Sequence, residues 1–78
     1  MKEFEVWMEG YVTTGERGKH RLVGKYEADS FPEACKKAAW DLAKGDIPTY
    51  YRYFDEKKNS WWACRFFDNE ADSMEFDY

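Results

Sequence analysis

The chain has few of the residues that most catalytic and metal sites need. Its 78 residues contain two cysteines, Cys35 and Cys64, and one histidine, His20. A structural zinc site usually takes four Cys or His ligands, and these three are widely spaced. A nucleophilic site needs a base beside its serine or cysteine, and both cysteines fall at predicted core positions, where a thiol acts as a small hydrophobe. We therefore expect a non-enzymatic protein with no metal and no cofactor.

The sequence also lacks the features of membrane and exported proteins. No apolar run approaches the roughly 18–20 residues of a membrane span, and the first ten residues, MKEFEVWMEG, do not have the layout of a signal peptide. Two cysteines are too few for a disulfide scaffold. We therefore expect a cytoplasmic protein that does not bind a membrane.

Two segments match phosphate- and calcium-binding patterns only in part. The segment TGERGK, at 14–19, lacks the GxxxxGK[ST] spacing and joins two predicted strands. Asp68, Glu70 and Asp72 alternate like the first ligands of a calcium loop, but its sixth position is Ser73 instead of glycine. Neither segment predicts an ion site.

Aromatic residues, in contrast, are abundant. Six Phe, six Tyr and four Trp make up 21% of the chain, and hydrophobic residues make up 44%. That composition is typical of a folded protein, and the length predicts a single domain, 1–78, with a modest core. A core of this size cannot hold every ring, so some aromatic side chains must lie on the surface.

The first half of the chain predicts a hairpin and a helix. Residues 3–13 alternate with period two, which is typical of a half-buried strand, and residues 20–28 form a second strand. Ser30 and Glu33 make an S-x-x-E capping box with Pro32 in the first turn, and Gly45 marks the end of that helix. Trp40 lies on its polar side, either flanking the core or as a contact residue.

The second half predicts two aromatic strands, 49–55 and 60–67, joined by the polar loop EKKN. In the last strand we expect Trp62, Cys64 and Phe66 to point inward and Trp61 and Arg65 to point outward. The order is ββαββ, followed by an acidic extension over 68–78. The fold class is therefore α+β, an antiparallel sheet with one helix packed on one face.

Charge is unevenly distributed along the chain. The net charge is −4, yet residues 1–67 hold 12 Lys or Arg against 11 Asp or Glu, and 68–78 hold five acids and no base. A basic cluster occupies the turn of the first hairpin: Arg17, Lys19, Arg21 and Lys25. The body is thus nearly neutral, with one basic turn and one acidic end.

Exposed aromatics interspersed with arginine are typical of a binding surface. We expect the uncovered sheet face and the acidic run to bind a protein partner through these residues: Trp7, Tyr11, Trp61, Arg65, Asp68, Glu70 and Asp72. The alternative is a single-stranded nucleic-acid-binding module that uses the same aromatics with the basic turn. Net negative charge disfavours nucleic acid. A homodimer, or a C-terminal segment folded over the aromatic face, would also cover it.

Three motifs resemble those of a family of small bacterial and phage-associated proteins. The family pattern E-V-W-x-E-G-Y-x-x-T-G-E matches residues 5–16, E-A-C matches 33–35, and W-x-C-R-x-F-D-N-E-A-D matches 62–72. After Asp72 the chain departs from the pattern. The resemblance implies, by analogy, an accessory or anti-defence protein that inhibits a host complex by binding it.

Overall fold

The computed structural model describes residues 1–13 and 16–74, without the side chains of 11–13, 16 and 17. These residues form seven strands and three helices. The strands are β1 (Lys2–Met8), β2 (Tyr11–Thr13), β3 (Glu16–Gly18), β4 (Arg21–Ala28), β5 (Phe54–Asp55), β6 (Ser60–Trp61) and β7 (Cys64–Phe67). The helices are α1 (Phe31–Leu42), α2 (Ile47–Tyr53) and α3 (Glu70–Met74).

The main sheet has five antiparallel strands in the order β4-β1-β7-β6-β5, with helices packed against it. Its centre is the predicted first hairpin, in which β1 pairs with β4 from Lys2↔Ala28 to Met8↔Arg21. The connection between these two strands carries a second small ladder, β2 with β3. The predicted α+β class and the antiparallel sheet are confirmed, and the order ββαββ describes the main elements.

The start of α1 follows its predicted capping signal. Ser30 has an extended backbone, and its side chain accepts a hydrogen bond from the backbone N–H of Glu33 at 3.4 Å. The Glu33 carboxylate accepts the backbone N–H of Asp29 at 3.1 Å, one residue before the N-cap. Two main-chain donors that would otherwise lack a partner are thereby satisfied.

The end of α1 is a Schellman motif at the predicted stop. The backbone N–H of Gly45 donates to the carbonyl of Trp40 at 3.2 Å, and that of Lys44 donates to the carbonyl of Asp41 at 3.0 Å. Both Lys44 and Gly45 have positive φ, at 55° and 74°. Glycine tolerates this left-handed backbone, which lets the chain reverse into α2.

The core lies between α1 and one face of the sheet. The sheet contributes Val6, Met8, Ala28, Cys64 and Phe66, all less than 10% exposed. The buried face of α1 consists of small residues: Ala34, Cys35, Ala38 and Ala39. Small side chains allow the helix to pack close to the sheet, and both cysteines lie in the core, as predicted.

The prediction of a strand over 49–55 is wrong, because most of that segment is α2. The Asp46 carboxylate caps this helix by accepting the backbone N–H of Thr49 at 3.1 Å, and Pro48 lies in the first turn. Tyr50 and Phe54, four residues apart, lie with their rings 5.3 Å apart and pack against the core. The cap at Asp46 and the packing of Tyr50 against the core override the strand propensity of the aromatic run.

The prediction of one strand over 60–67 is also wrong in detail. The chain reverses at Trp62 and Ala63, so Trp61 pairs with Cys64 across a two-residue turn. Trp61 therefore lies on the same sheet face as buried Cys64 and packs against the core, while Trp62 is 53% exposed. The predicted facing of these two tryptophans is reversed.

The start of the acidic extension is folded. Asn69 immediately precedes α3, and its side-chain oxygen accepts the backbone N–H of Asp72 at 2.8 Å. Ser73 is fully buried and donates through its hydroxyl to the carbonyl of Glu70 at 2.7 Å. In the described part of the chain, none of the helices has the length and apolar content needed to cross a membrane.

Candidate protein-binding site

A groove of about 380 Å³ lies beside the β6–β7 turn. We call it the Trp62 groove. Its walls combine apolar and basic side chains: Met8, Lys19, Arg21, Trp61, Trp62 and Cys64. The structure therefore brings Trp61 of the predicted protein-binding set together with Lys19 and Arg21 of the predicted nucleic-acid-binding set.

The β6–β7 turn that carries Trp62 has an unusual backbone. Trp62 and Ala63 have φ values of 51° and 66°, and two central residues with positive φ define a type I′ turn. Such turns favour Asn-Gly, because the left-handed conformation costs roughly 1–2 kcal/mol for a residue with a Cβ. Tryptophan and alanine are therefore held here in an unfavourable conformation.

One hydrogen bond and one ring contact hold this turn against the end of α2. The backbone N–H of Trp62 donates to the carbonyl of Tyr53 at 2.9 Å, which connects the turn to the end of α2. The ring of Tyr53 lies 5.7 Å from that of Trp61. The Trp62 backbone is thus attached to the folded body of the protein.

The floor of the Trp62 groove includes the thiol of Cys64. Burial raises the pKa of Cys64, the negative charge of Glu9 raises it further, and the guanidinium of Arg21 lowers it. The thiol therefore stays protonated near neutral pH. Arg21 is close enough to the floor for its charge to act there.

The sheet face opposite α1, which we call the outer face, carries a second aromatic cluster. Trp7 pairs with Phe67 across β1 and β7, and the guanidinium of Arg65 lies 5.5 Å from the Phe67 ring centre. The Trp7 ring lies 6.0 Å from that of His20, whose Nε2 is 3.2 Å from a carboxylate oxygen of Glu70. Trp7, Arg65 and Glu70 of the predicted set therefore lie in one continuous cluster.

A buried carboxylate just after β1 supports this cluster. Glu9 is 8% exposed, and one of its oxygens accepts the backbone N–H of Arg65 at 2.9 Å. The other oxygen lies 3.4 Å from the Arg65 guanidinium. Arg65 thus has a fixed backbone and a partly exposed side chain.

The remaining acids of the predicted set, Asp68 and Asp72, lie at the start of α3. The Asn69 amide donates to Asp68 at 2.7 Å and to Asp72 at 3.0 Å. Acidic side chains near a helix N-terminus interact favourably with its dipole. The DNEAD segment is therefore first of all a helix start, although Asp68 and Asp72 are exposed.

The last three predicted residues lie elsewhere in the fold or have side chains outside the described residues. Lys25 pairs with Glu5 across β4 and β1, where opposite charges stabilise a sheet. The side chains of Tyr11 and Arg17 lie outside the described residues. The predicted basic cluster is therefore divided, with Lys19 and Arg21 at the groove and Lys25 further along β4.

Sequence reasoning missed two surface features. Trp62 was expected in the core, and no glycine or asparagine marks its turn. The aromatic side of α2 was expected in a strand, yet Tyr51 is 76% exposed beside Tyr50, whose ring lies 5.6 Å from that of Trp40. The N-cap Asp46 with Pro48 was the signal that could have revealed this helix.

Among residues 1–13 and 16–74, no three His, Cys, Asp or Glu side chains are grouped to hold a metal ion. Comparison of the chain with protein-family models, with curated proteins and with solved structures finds no match.

Proposed function

We propose that this protein is a small, non-enzymatic protein-binding module, an accessory protein of the phage or mobile-element type that inhibits a host complex. The observation that carries the proposal is Trp62, a tryptophan 53% exposed on a turn whose two central residues both have positive φ. The motif resemblance is the basis for proposing an inhibitor, and the geometry of the turn supports a binding role.

The turn combines two features that folding alone does not favour. An indole that remains 53% exposed gains only part of its burial energy, and a tryptophan at positive φ costs roughly 1–2 kcal/mol. Unfavourable backbone of this kind is concentrated at functional sites. Tryptophan is also enriched among interface hot spots, the few residues whose truncation costs about 2 kcal/mol or more.

A second proposed contact patch lies on the outer face. Arg65 is exposed above Phe67, and Trp7 lies next to it across the strand pair. An arginine over an aromatic ring is a common element of interface centres. The exposed acids Asp68 and Asp72 would form a polar rim at one end.

One observation favours the alternative, a single-stranded nucleic-acid-binding module. Lys19 and Arg21 line the same groove as two indoles, which is the combination that stacks a base and contacts a phosphate. The net charge of −4 opposes binding to a polyanion, and a dedicated binder normally has a strong basic excess. We therefore place protein binding first.

Affinity capture tests the proposal. The tagged protein and its Trp62→Asn variant are used as bait in host lysate, with and without nuclease. Asparagine tolerates positive φ, so the turn is retained while the indole is removed. The proposal predicts a stoichiometric protein that survives nuclease treatment and is lost from the variant.

Three other outcomes would contradict the proposal. Capture that disappears with nuclease would support the nucleic-acid alternative. Equal capture by both baits would show that Trp62 is not in the interface. Recovery of only a second copy of this chain, confirmed by the molar mass in solution, would support a homodimer.

A further inference from the structure

The basic side of the Trp62 groove indicates the chemistry of the partner. Lys19 and Arg21 are both exposed, and no described carboxylate lies within ion-pair distance of either. Two other cations do lie beside carboxylates: Lys36 lies 3.0 Å from Glu56, and Arg65 lies 3.4 Å from Glu9. Two exposed cations that line one groove favour an anionic ligand.

The rest of the groove is apolar. Met8 and Cys64, at 7% and 5% exposure, form a floor with no strong hydrogen-bond donor or acceptor. Trp61 and Trp62 add two indoles to the walls. A volume of about 380 Å³ is within the range of roughly 300–1,000 Å³ that is usual for ligand sites. The groove can therefore take an apolar side chain together with its neighbouring residues.

We propose that the Trp62 groove binds a segment of the protein partner in which an aromatic side chain is flanked by aspartate or glutamate. The ring would pack against the indoles and the apolar floor, and the flanking carboxylates would pair with Lys19 and Arg21. This inference rests on the proposed function and adds the chemical class of the partner segment. Two cations suffice for two flanking carboxylates, whereas a nucleic-acid strand would bring a longer row of phosphates to a protein of net negative charge.

Defined peptides test the inference without knowledge of the partner. The ¹⁵N-labelled protein is titrated with acetyl-Glu-Phe-Asp-amide and with acetyl-Gln-Phe-Asn-amide, and the indole N–H resonance of Trp62 is followed. We expect the acidic peptide to bind at least tenfold more tightly than the neutral one, as measured by the shift of this resonance. Its affinity should also fall as salt is raised, since exposed charges are screened.

A matched pair of variants locates the charge effect. Lys19→Glu combined with Arg21→Glu should lower the affinity for the acidic peptide about tenfold or more. Lys57→Glu combined with Lys58→Glu has the same net charge, but the change lies in the exposed β5–β6 loop, so it should alter the affinity less than twofold. Circular dichroism establishes that each variant is folded.

Several results would overturn the inference. Equal affinity for the two peptides, no shift of the Trp62 resonance, or equal loss in both charge-reversed variants would each contradict an acidic ligand. Tighter binding of the oligonucleotide dT10 at the same resonances would assign the groove to nucleic acid. If the Lys19→Glu/Arg21→Glu bait still captures a partner that the Trp62→Asn bait loses, the inference fails while the proposed function stands. If the Trp62→Asn bait captures equally, the proposed function itself fails.

Discussion

The carboxylate of Glu9 holds the main chain of Arg65. Glu9 accepts the backbone N–H of Arg65 at 2.9 Å, and its own backbone N–H donates to the carbonyl of Arg65 at 3.0 Å. Arg65 follows Cys64, the residue that closes the Trp62–Ala63 turn. The buried carboxylate therefore fixes the strand that carries this turn against β1.

Removing the Glu9 carboxylate should destabilise the protein. Glu9→Ala leaves the Arg65 backbone N–H without its acceptor, so we expect the free energy of unfolding to fall by about 1–3 kcal/mol. Arg65→Ala keeps that bond and removes a pair whose guanidinium is half exposed, so it should cost less than about 1 kcal/mol. Urea unfolding measures both, with exposed Glu3→Ala as the control. A larger loss for Arg65→Ala than for Glu9→Ala would contradict this order.

Glycine at position 63 should stabilise the fold. Ala63 has φ of 66°, so Ala63→Gly relieves a left-handed alanine and should raise the free energy of unfolding by about 1 kcal/mol. The same change in a helix, Ala71→Gly in α3, should lower it by up to about 1 kcal/mol. Thermal unfolding distinguishes the two signs. A destabilising Ala63→Gly would show that the turn does not have positive φ at this residue.

The capping carboxylate of α2 should contribute to stability. Asp46→Ala removes the acceptor for the Thr49 backbone N–H and should cost about 0.5–2 kcal/mol. Asp29→Ala is a matched control, because Asp29 takes part in the α1 cap only through its backbone N–H, and it should cost less than about 0.5 kcal/mol. Denaturant unfolding provides both values. Equal values would indicate that residues 47–53 are not a capped helix.

The thiol of Cys35 should be protected and should make the fold sensitive to alkali. Burial, with a smaller contribution from the Asp68 carboxylate, raises the pKa of Cys35 from 9.0 to about 12. The folded state therefore keeps a proton that the unfolded state releases above pH 9, so stability is full below pH 9 and falls as the pH rises towards 12. Chemical unfolding across this range should show a shallower decline for Cys35→Ala. An unchanged decline, or fast iodoacetamide labelling of Cys35 in the native protein, would contradict its burial.

The elements that sequence predicts are those with local signals. Ser30 and Glu33 cap α1 because their side chains reach main-chain groups only a few residues away, and the alternation of Val6 and Met8 reports a face buried by that helix. Each of these signals lies within a short stretch of sequence. Together they are enough to predict the α+β class.

The elements that sequence does not predict depend on tertiary contacts. Tyr50 has strand propensity, yet it lies in α2, where its ring packs against the core and against Phe54 at the end of the helix. The Trp62–Ala63 turn has no favourable turn residue, so its position is fixed by pairing with neighbouring segments. Because the chain reverses here, Trp61 packs against the core and Trp62 is exposed, the opposite of the prediction. The centre of the proposed binding surface is therefore Trp62 instead of Trp61.

The central claim is that Trp62 is the main contact for a protein partner. The most direct test is titration calorimetry of the captured partner, once purified, against the wild type, Trp62→Asn and Tyr51→Ala. Tyr51 is a matched control because it is another exposed ring, on α2. We predict a loss of affinity of roughly 30-fold or more for Trp62→Asn, corresponding to about 2 kcal/mol, and less than threefold for Tyr51→Ala. Unchanged affinity of a folded Trp62→Asn variant would contradict the account.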